Sequence, residues 1–131
     1  MQEYLHRLED ALAELKRLRD QYTLGDLKRD RLLEWALRYG LLESIQIIID
    51  ISCHLVSRNN LGTPSSYGEC ITLLARGGYL SEELARKLQL MVGLRNLLVH
   101  EYATIDVERL YRHLDQLPDF VQFIESVQPY L

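Results

Sequence analysis

Residues 81–102 read SEELARKLQLMVGLRNLLVHEY, and the rest of the chain is organised around this stretch. Its apolar residues recur every three or four positions, which predicts a helix with one buried face. Ser81 precedes two acidic residues, as is typical of a helix N-terminus. We therefore expect a core helix that begins after Ser81 and ends near His100. The apolar positions are Leu84, Leu88, Met91, Leu94 and Leu98.

The last eight residues of this stretch carry four groups that can take part in chemistry: the guanidinium of Arg95, the amide of Asn96, the imidazole of His100 and the phenol of Tyr102. An arginine can hold a phosphate by two hydrogen bonds and stays charged at any working pH. A histidine can accept or donate a proton near neutral pH. Together they predict a site that cleaves a phosphodiester without a metal.

Each residue also has a purely structural explanation. Arg95 could be a surface cation paired with an acid such as Glu101, and His100 could hydrogen-bond the last carbonyls of its helix. Asn96 could orient the histidine, contact RNA or cap a buried contact, and Tyr102 could lie at the edge of the core.

Helix geometry adds a constraint on the Arg95–His100 pair. Five residues of an ideal helix rise about 7.5 Å and turn about 500°, so the two side chains would point about 140° apart. Either the helix ends or distorts before His100, or one residue works with groups from another helix or subunit. The sequence leaves both possibilities open.

The first half of the chain predicts two helices. Residues 2–21 have a leucine stripe with charges on the other faces, which is typical of an amphipathic helix. Thr23 and Asp26 have the spacing of a capping box. A second, long helix is expected from there toward Asn59, with Gly40 causing a kink or allowing a close backbone contact.

The aliphatic run at residues 45–51 is wider than one buried stripe, so we expect this helix to be central and to contact a second subunit. A short third helix should end at Gly77 and Gly78. A fifth should follow Asp106 as its cap, with Pro118 forcing a kink or restart near Leu117. The prediction is one domain, residues 1–131: an all-α antiparallel bundle of four to five main helices, forming a homodimer.

Composition limits the other classes of function. At 131 residues one core is expected. Cys53 and Cys70 are too few and too far apart in sequence for a disulfide framework or a zinc site, so a reducing cytoplasm and no metal or other cofactor are expected. Met1 leads into charged helix rather than a signal peptide, and no long apolar run predicts a membrane span.

The net charge of −4 argues mildly against a broad nucleic-acid surface. Residues 76–100 are an exception, with four basic against two acidic side chains. RNA, if it binds, is expected to bind near the motif. An ordinary mixed surface explains the same numbers equally well.

The spacing R-x4-H-x-Y in residues 95–102 resembles the motif of HepT-like ribonuclease toxins of the HEPN superfamily. The similarity extends over roughly residues 25–127. It includes Pro64-Ser65-Ser66-Tyr67, Gly78-Tyr79-Leu80 and Met91-Val92-Gly93-Leu94, with Leu74, Leu84, Leu88, Asp106 and Val107. In this pattern Tyr67 is expected to pack.

The resemblance implies a metal-independent endoribonuclease toxin in which Arg95, His100 and Asn96 are catalytic. It implies a homodimer whose two motifs flank a shared cleft. It also implies an antitoxin nucleotidyltransferase that uses ATP to attach AMP to Tyr102. Attack by the ribose 2′-OH would exclude DNA as a substrate.

Two other hypotheses remain. Some HEPN-type bundles are non-catalytic substrate-binding or interaction subunits of nucleotidyltransferases, and the acidic charge suits that role. The chain could also be a structural dimerisation bundle with a vestigial motif. The intact Arg95-Asn96 and His100-x-Tyr102 pattern favours the nuclease.

Overall fold

A computed structural model describes residues 1–100 and 104–131, in which every regular element is helical and no strand occurs. Five helices of ten residues or more form the bundle, which confirms the predicted all-α class. Two six-residue helices and two 3₁₀ turns, at residues 113–116 and 128–130, join them. The helices are α1 (Gln2–Gln21), α2 (Leu24–Arg29), α3 (Arg31–Arg58), α4 (Tyr67–Arg76), α5 (Glu82–His100), α6 (Val107–Arg112) and α7 (Leu117–Val127).

The prediction of one long second helix is wrong at Asp30, where the backbone is extended with φ −125° and ψ 104°. The Asp30 carboxylate accepts a hydrogen bond from the Leu32 amide at 3.0 Å and so caps α3. A short acidic side chain that bonds nearby amides competes with helix continuation. The predicted capping box at Thr23 and Asp26 is present on α2, and its hydrogen bonds hold the Asp26 pKa below the ordinary value.

Gly40 does not interrupt α3. A Cβ added there would lie 2.7 Å from Leu15 Cδ2, so the glycine allows α1 and α3 to approach closely. The expected close contact is therefore confirmed, with a side chain of α1 as the neighbour.

α3 is the central helix of the bundle, because it packs against α1, α2, α4, α5 and α6. Its aliphatic run is buried on several sides, as predicted. By length and composition alone it could also span a membrane, but the central helices of globular proteins pass the same test.

The ends of the later helices follow the predicted signals. Ser81 Oγ accepts from the Leu84 amide at 3.1 Å at the start of α5. The Asp106 side chain caps α6, and the helix restarts at Leu117 with Pro118 in its first turn. The pieces that carry the motif, α5 and its neighbours α3 and α4, are therefore fixed by local sequence.

The inference that Cys53 and Cys70 are too far apart to pair is wrong. They are 17 residues apart in sequence, but α3 and α4 pack so that their Cα atoms lie 5.1 Å apart and a disulfide joins them. Sequence separation does not measure distance across a helical hairpin, and this is why the pairing was missed.

Oxidised protein should be more stable than reduced protein. Closing a loop of 17 residues stabilises by about 3 kcal/mol in the chain-entropy account, which corresponds to about 10 °C in Tm for a chain of this size. Thermal unfolding with and without reductant, with Cys70→Ser as control, measures it. Equal Tm values together with two titratable thiols in the oxidised sample would show that the bond does not form.

Candidate functional site

The predicted site residues lie in the last turns of α5. Arg95 is half-buried, whereas Asn96 and His100 are exposed. Tyr102 lies outside the described residues, so its predicted role stays a prediction. The structure therefore describes three of the four predicted positions.

Arg95 is held from the neighbouring helix α3. Its Nε donates a hydrogen bond of 2.9 Å to Gln46 Oε1, and Gln46 Nε2 donates one of 2.9 Å to Asp50 Oδ1. Asp50 therefore orients the Gln46 amide, which in turn orients the guanidinium. The sequence analysis missed both residues, although they are polar residues four apart within an aliphatic run.

Two further contacts surround the guanidinium. Arg95 Nη1 donates to Asn96 Oδ1 at 3.1 Å, and Arg95 Cζ lies 5.1 Å from the centroid of the Tyr67 ring. The expectation that Tyr67 packs is wrong, because 46% of its surface is exposed. Of the five N–H groups of an arginine, three make no hydrogen bond to the described residues and can bind a phosphate.

His100 does not meet Arg95 within one chain. Because α5 is continuous to His100, the two side chains point about 140° apart as on an ideal helix. The possibility that the helix ends before His100 is excluded. His100 is exposed and makes no hydrogen bond within the described part of the chain.

A cleft of about 280 Å³ lies on the α1 side of Arg95, and Arg7 of α1 shares its wall. Glu43 and Asp50 also line it, so the cleft carries both signs of charge. Arg7 is a second cation beside Arg95 that sequence reasoning did not find, because α1 has no motif. Among the described residues no cluster of side chains suits a metal ion.

The surface next to this cleft is unusually apolar. Trp35 and Tyr39 of α3 are 52% and 64% exposed, and they line a shallow groove with Leu42 and Leu98. Val99, beside His100, is 42% exposed. Exposed apolar side chains grouped in this way are typical of protein contact sites.

The other histidines lie away from Arg95. His54, which was expected to be a core or interface residue, is exposed on α3, so it is not in the core. His113 pairs with Gln116, and His6 lies near Glu9.

We predict that Gln46→Ala lowers the rate of any reaction that depends on Arg95 by about 10-fold or more, since a hydrogen bond to a charged group contributes about 1.5–3 kcal/mol. Gln46→Glu keeps an acceptor oxygen and should retain more activity. Rates for both variants measure this. An unchanged rate in Gln46→Ala would mean that Arg95 is positioned without α3.

The family profile described as "Ribonuclease HepT-like" matches residues 8–127 of the chain. Among characterised proteins, the chain is 33% identical over 117 residues to the mRNA nuclease HepT of Shewanella oneidensis, covering 87% of each chain. It is 35% identical over 85 residues to the tRNA nuclease HepT of Aphanizomenon flos-aquae, covering 62% of this chain and 58% of that protein.

The fold is also similar to solved structures. A tri-AMPylated HEPN toxin of Shewanella oneidensis in complex with its MNT antitoxin superposes with a TM-score of 0.81 at 29% identity, over 98% of this chain and 99% of that one. The cytosolic protein YutE of Bacillus subtilis, at 19% identity and a TM-score of 0.77 over 96% of this chain and 89% of that one, shares the fold.

Proposed function

We propose, because the chain belongs to the ribonuclease HepT-like family, that it is the endoribonuclease toxin of a toxin–antitoxin pair. The observation that carries this is the position of Arg95. Its guanidinium is fixed by Gln46 and Asn96, yet it keeps further N–H groups for a ligand.

In the proposed reaction, Arg95 holds the scissile phosphate and stabilises the charge that develops on its oxygens. The 2′ oxygen of the ribose forms a bond to phosphorus while the bond from phosphorus to the 5′ oxygen breaks. The 2′-OH loses its proton to a base, and the departing 5′ oxygen gains one. His100 serves as the acid or the base, Asn96 steadies the guanidinium, and no metal or cofactor is needed.

We propose that a homodimer completes the site. Arg95 and His100 of one chain point apart, so His100 would act beside the arginine of the second copy across a shared cleft. The exposed apolar residues Trp35, Tyr39 and Val99 lie beside the motif and suit the contact with that copy. Sedimentation of wild type and Trp35→Glu at equal concentration tests this, because loss of the dimer should accompany loss of activity.

We propose an antitoxin nucleotidyltransferase as the protein partner. It would use ATP to attach AMP to Tyr102, two residues beyond His100, and the added negative charge and bulk would block phosphate binding. The AMP groups on the related Shewanella oneidensis toxin support this proposal. We also propose that the protein acts in the cytoplasm, away from membranes. A reducing cytoplasm would favour the two thiols over the Cys53–Cys70 disulfide.

The chemistry can be tested on the substrate. RNA should be cut to leave a cyclic phosphate end, and DNA of the same sequence, or RNA with a 2′-O-methyl group at the cut site, should remain intact. Cleavage of the 2′-O-methyl substrate at that site would show that the 2′-OH is not the nucleophile.

A further inference from the structure

A second pocket lies on the α4 side of Arg95, opposite the cleft that Arg7 shares. Its volume is about 640 Å³, enough for a group much larger than water. Asn96 of the motif and Tyr67, whose ring contacts Arg95, both line it. The remaining walls are Cys53, Pro64, Ser65, Ser66, Gly68, Cys70 and Val92.

The lining suits an uncharged, partly apolar group rather than a phosphate, because none of these residues is basic. The helix start beside it is already satisfied. Glu69 Oε2 accepts from the Ser65 hydroxyl at 2.6 Å and from the Ser65 amide at 3.2 Å, and Ser66 Oγ accepts from the Glu69 amide. The hydrogen bonds from Ser65 hold the Glu69 pKa below the ordinary value, so a carboxylate stands near the pocket at neutral pH.

Two polar or aromatic groups remain available to a ligand. The Asn96 oxygen accepts from Arg95, but the Asn96 NH₂ group donates to no residue in the described ranges. Nearly half of the Tyr67 surface is exposed. A flat π-surface next to an amide donor is the combination with which proteins bind unstacked bases of single-stranded RNA.

The wall that carries Tyr67 is held firmly against α5. Gln89 Nε2 donates to the Gly68 carbonyl at 2.6 Å and to Thr72 Oγ1 at 2.9 Å. A Cβ at Gly68 would lie 2.6 Å from Gln89 Oε1, so the glycine permits this close approach. The first turn of α4 is therefore fixed relative to Arg95 without a ligand.

We propose that this pocket binds the nucleobase of the nucleotide next to the scissile phosphate. The inference rests on the proposed function and deepens it by assigning a base-binding subsite to single-stranded RNA. Tyr67 stacks on the base, and the Asn96 NH₂ group donates to an acceptor on the base edge. Because Asn96 also touches Arg95, the correct base is coupled to the position of the phosphate.

Binding in a His100→Ala background, which removes cleavage, tests the subsite with labelled single-stranded oligo(A), oligo(C), oligo(G) and oligo(U). Stacking contributes about 1–3 kcal/mol per base, so Tyr67→Ala should weaken binding of the preferred oligomer by about 5- to 150-fold. It should also reduce the differences among the four. Tyr67→Phe should behave like the background protein. Tyr130→Ala, which removes a tyrosine that is 49% exposed beyond the far end of α4, is the matched control.

Asn96→Asp provides a second variant that keeps size and shape but loses the donor, so the order of preference among the four oligomers should change. A merely structural role of either residue would alter stability and leave that order intact. Unchanged affinities and order in both Tyr67→Ala and Asn96→Asp, with wild type still cleaving RNA, would overturn the subsite alone. Absence of both RNA binding and cleavage in wild type would overturn the proposed function together with it.

Discussion

Replacing Arg95 by alanine is expected to lower RNA cleavage by about 10²- to 10³-fold, the usual effect of losing a fixed donor to a developing oxyanion. Replacing His100 by alanine should lower it by about 10²- to 10⁴-fold, the usual contribution of general acid–base catalysis. Arg95→Lys should restore only part of the rate, because an ammonium cannot reproduce the forked contact with a phosphate. Initial rates on one defined RNA measure all three variants.

Neither substitution should disturb the fold, since His100 is exposed and Arg95 is only half-buried. His6→Ala and Arg109→Ala remove exposed residues of the same types elsewhere and should cleave like wild type. Circular dichroism and Tm establish that every variant is folded. Wild-type rates in folded Arg95→Ala or His100→Ala would remove that residue from the mechanism.

Replacing Tyr102 by phenylalanine is expected to make the protein resistant to its antitoxin. With the partner nucleotidyltransferase and ATP, wild type should gain one or more AMP units and lose cleavage almost completely. The loss follows because the added phosphates place negative charge beside a phosphate-binding site. Tyr102→Phe should gain no AMP and remain active. Intact mass and cleavage rates on the same samples measure both effects.

The control for this experiment is Tyr111→Phe, which alters a tyrosine of α6 whose hydroxyl donates to the Tyr22 carbonyl. That variant should still be modified and silenced. Peptide mapping that finds AMP on a residue other than Tyr102 would contradict the proposed switch, whatever happens to activity.

Periodicity and caps predicted most of the bundle, because those signals act within a few residues of each other. α1 begins and ends where its leucine stripe does, and Ser81, Asp106 and Pro118 mark real helix starts. The break at Asp30 was missed because an aspartate within a helical pattern is compatible with both a cap and a surface position.

The surroundings of Arg95 could not be predicted, because they come from three other helices. Arg7, Gln46 and Tyr67 lie 88, 49 and 28 residues before it in the sequence, and no spacing rule joins them. Packing of α3 against α4 likewise brought Cys53 to Cys70. The motif thus identified the reactive residues, whereas the groups that hold and flank them required the fold.

Cleavage of RNA by purified protein in excess EDTA, comparing wild type with His100→Ala, tests the central claim most directly. Intact mass measured beforehand must show that wild type carries no AMP. We expect wild type to cleave and His100→Ala to be silent. Equal cleavage by both proteins, or none by unmodified wild type over a range of RNAs, would contradict a metal-independent nuclease centred on this motif.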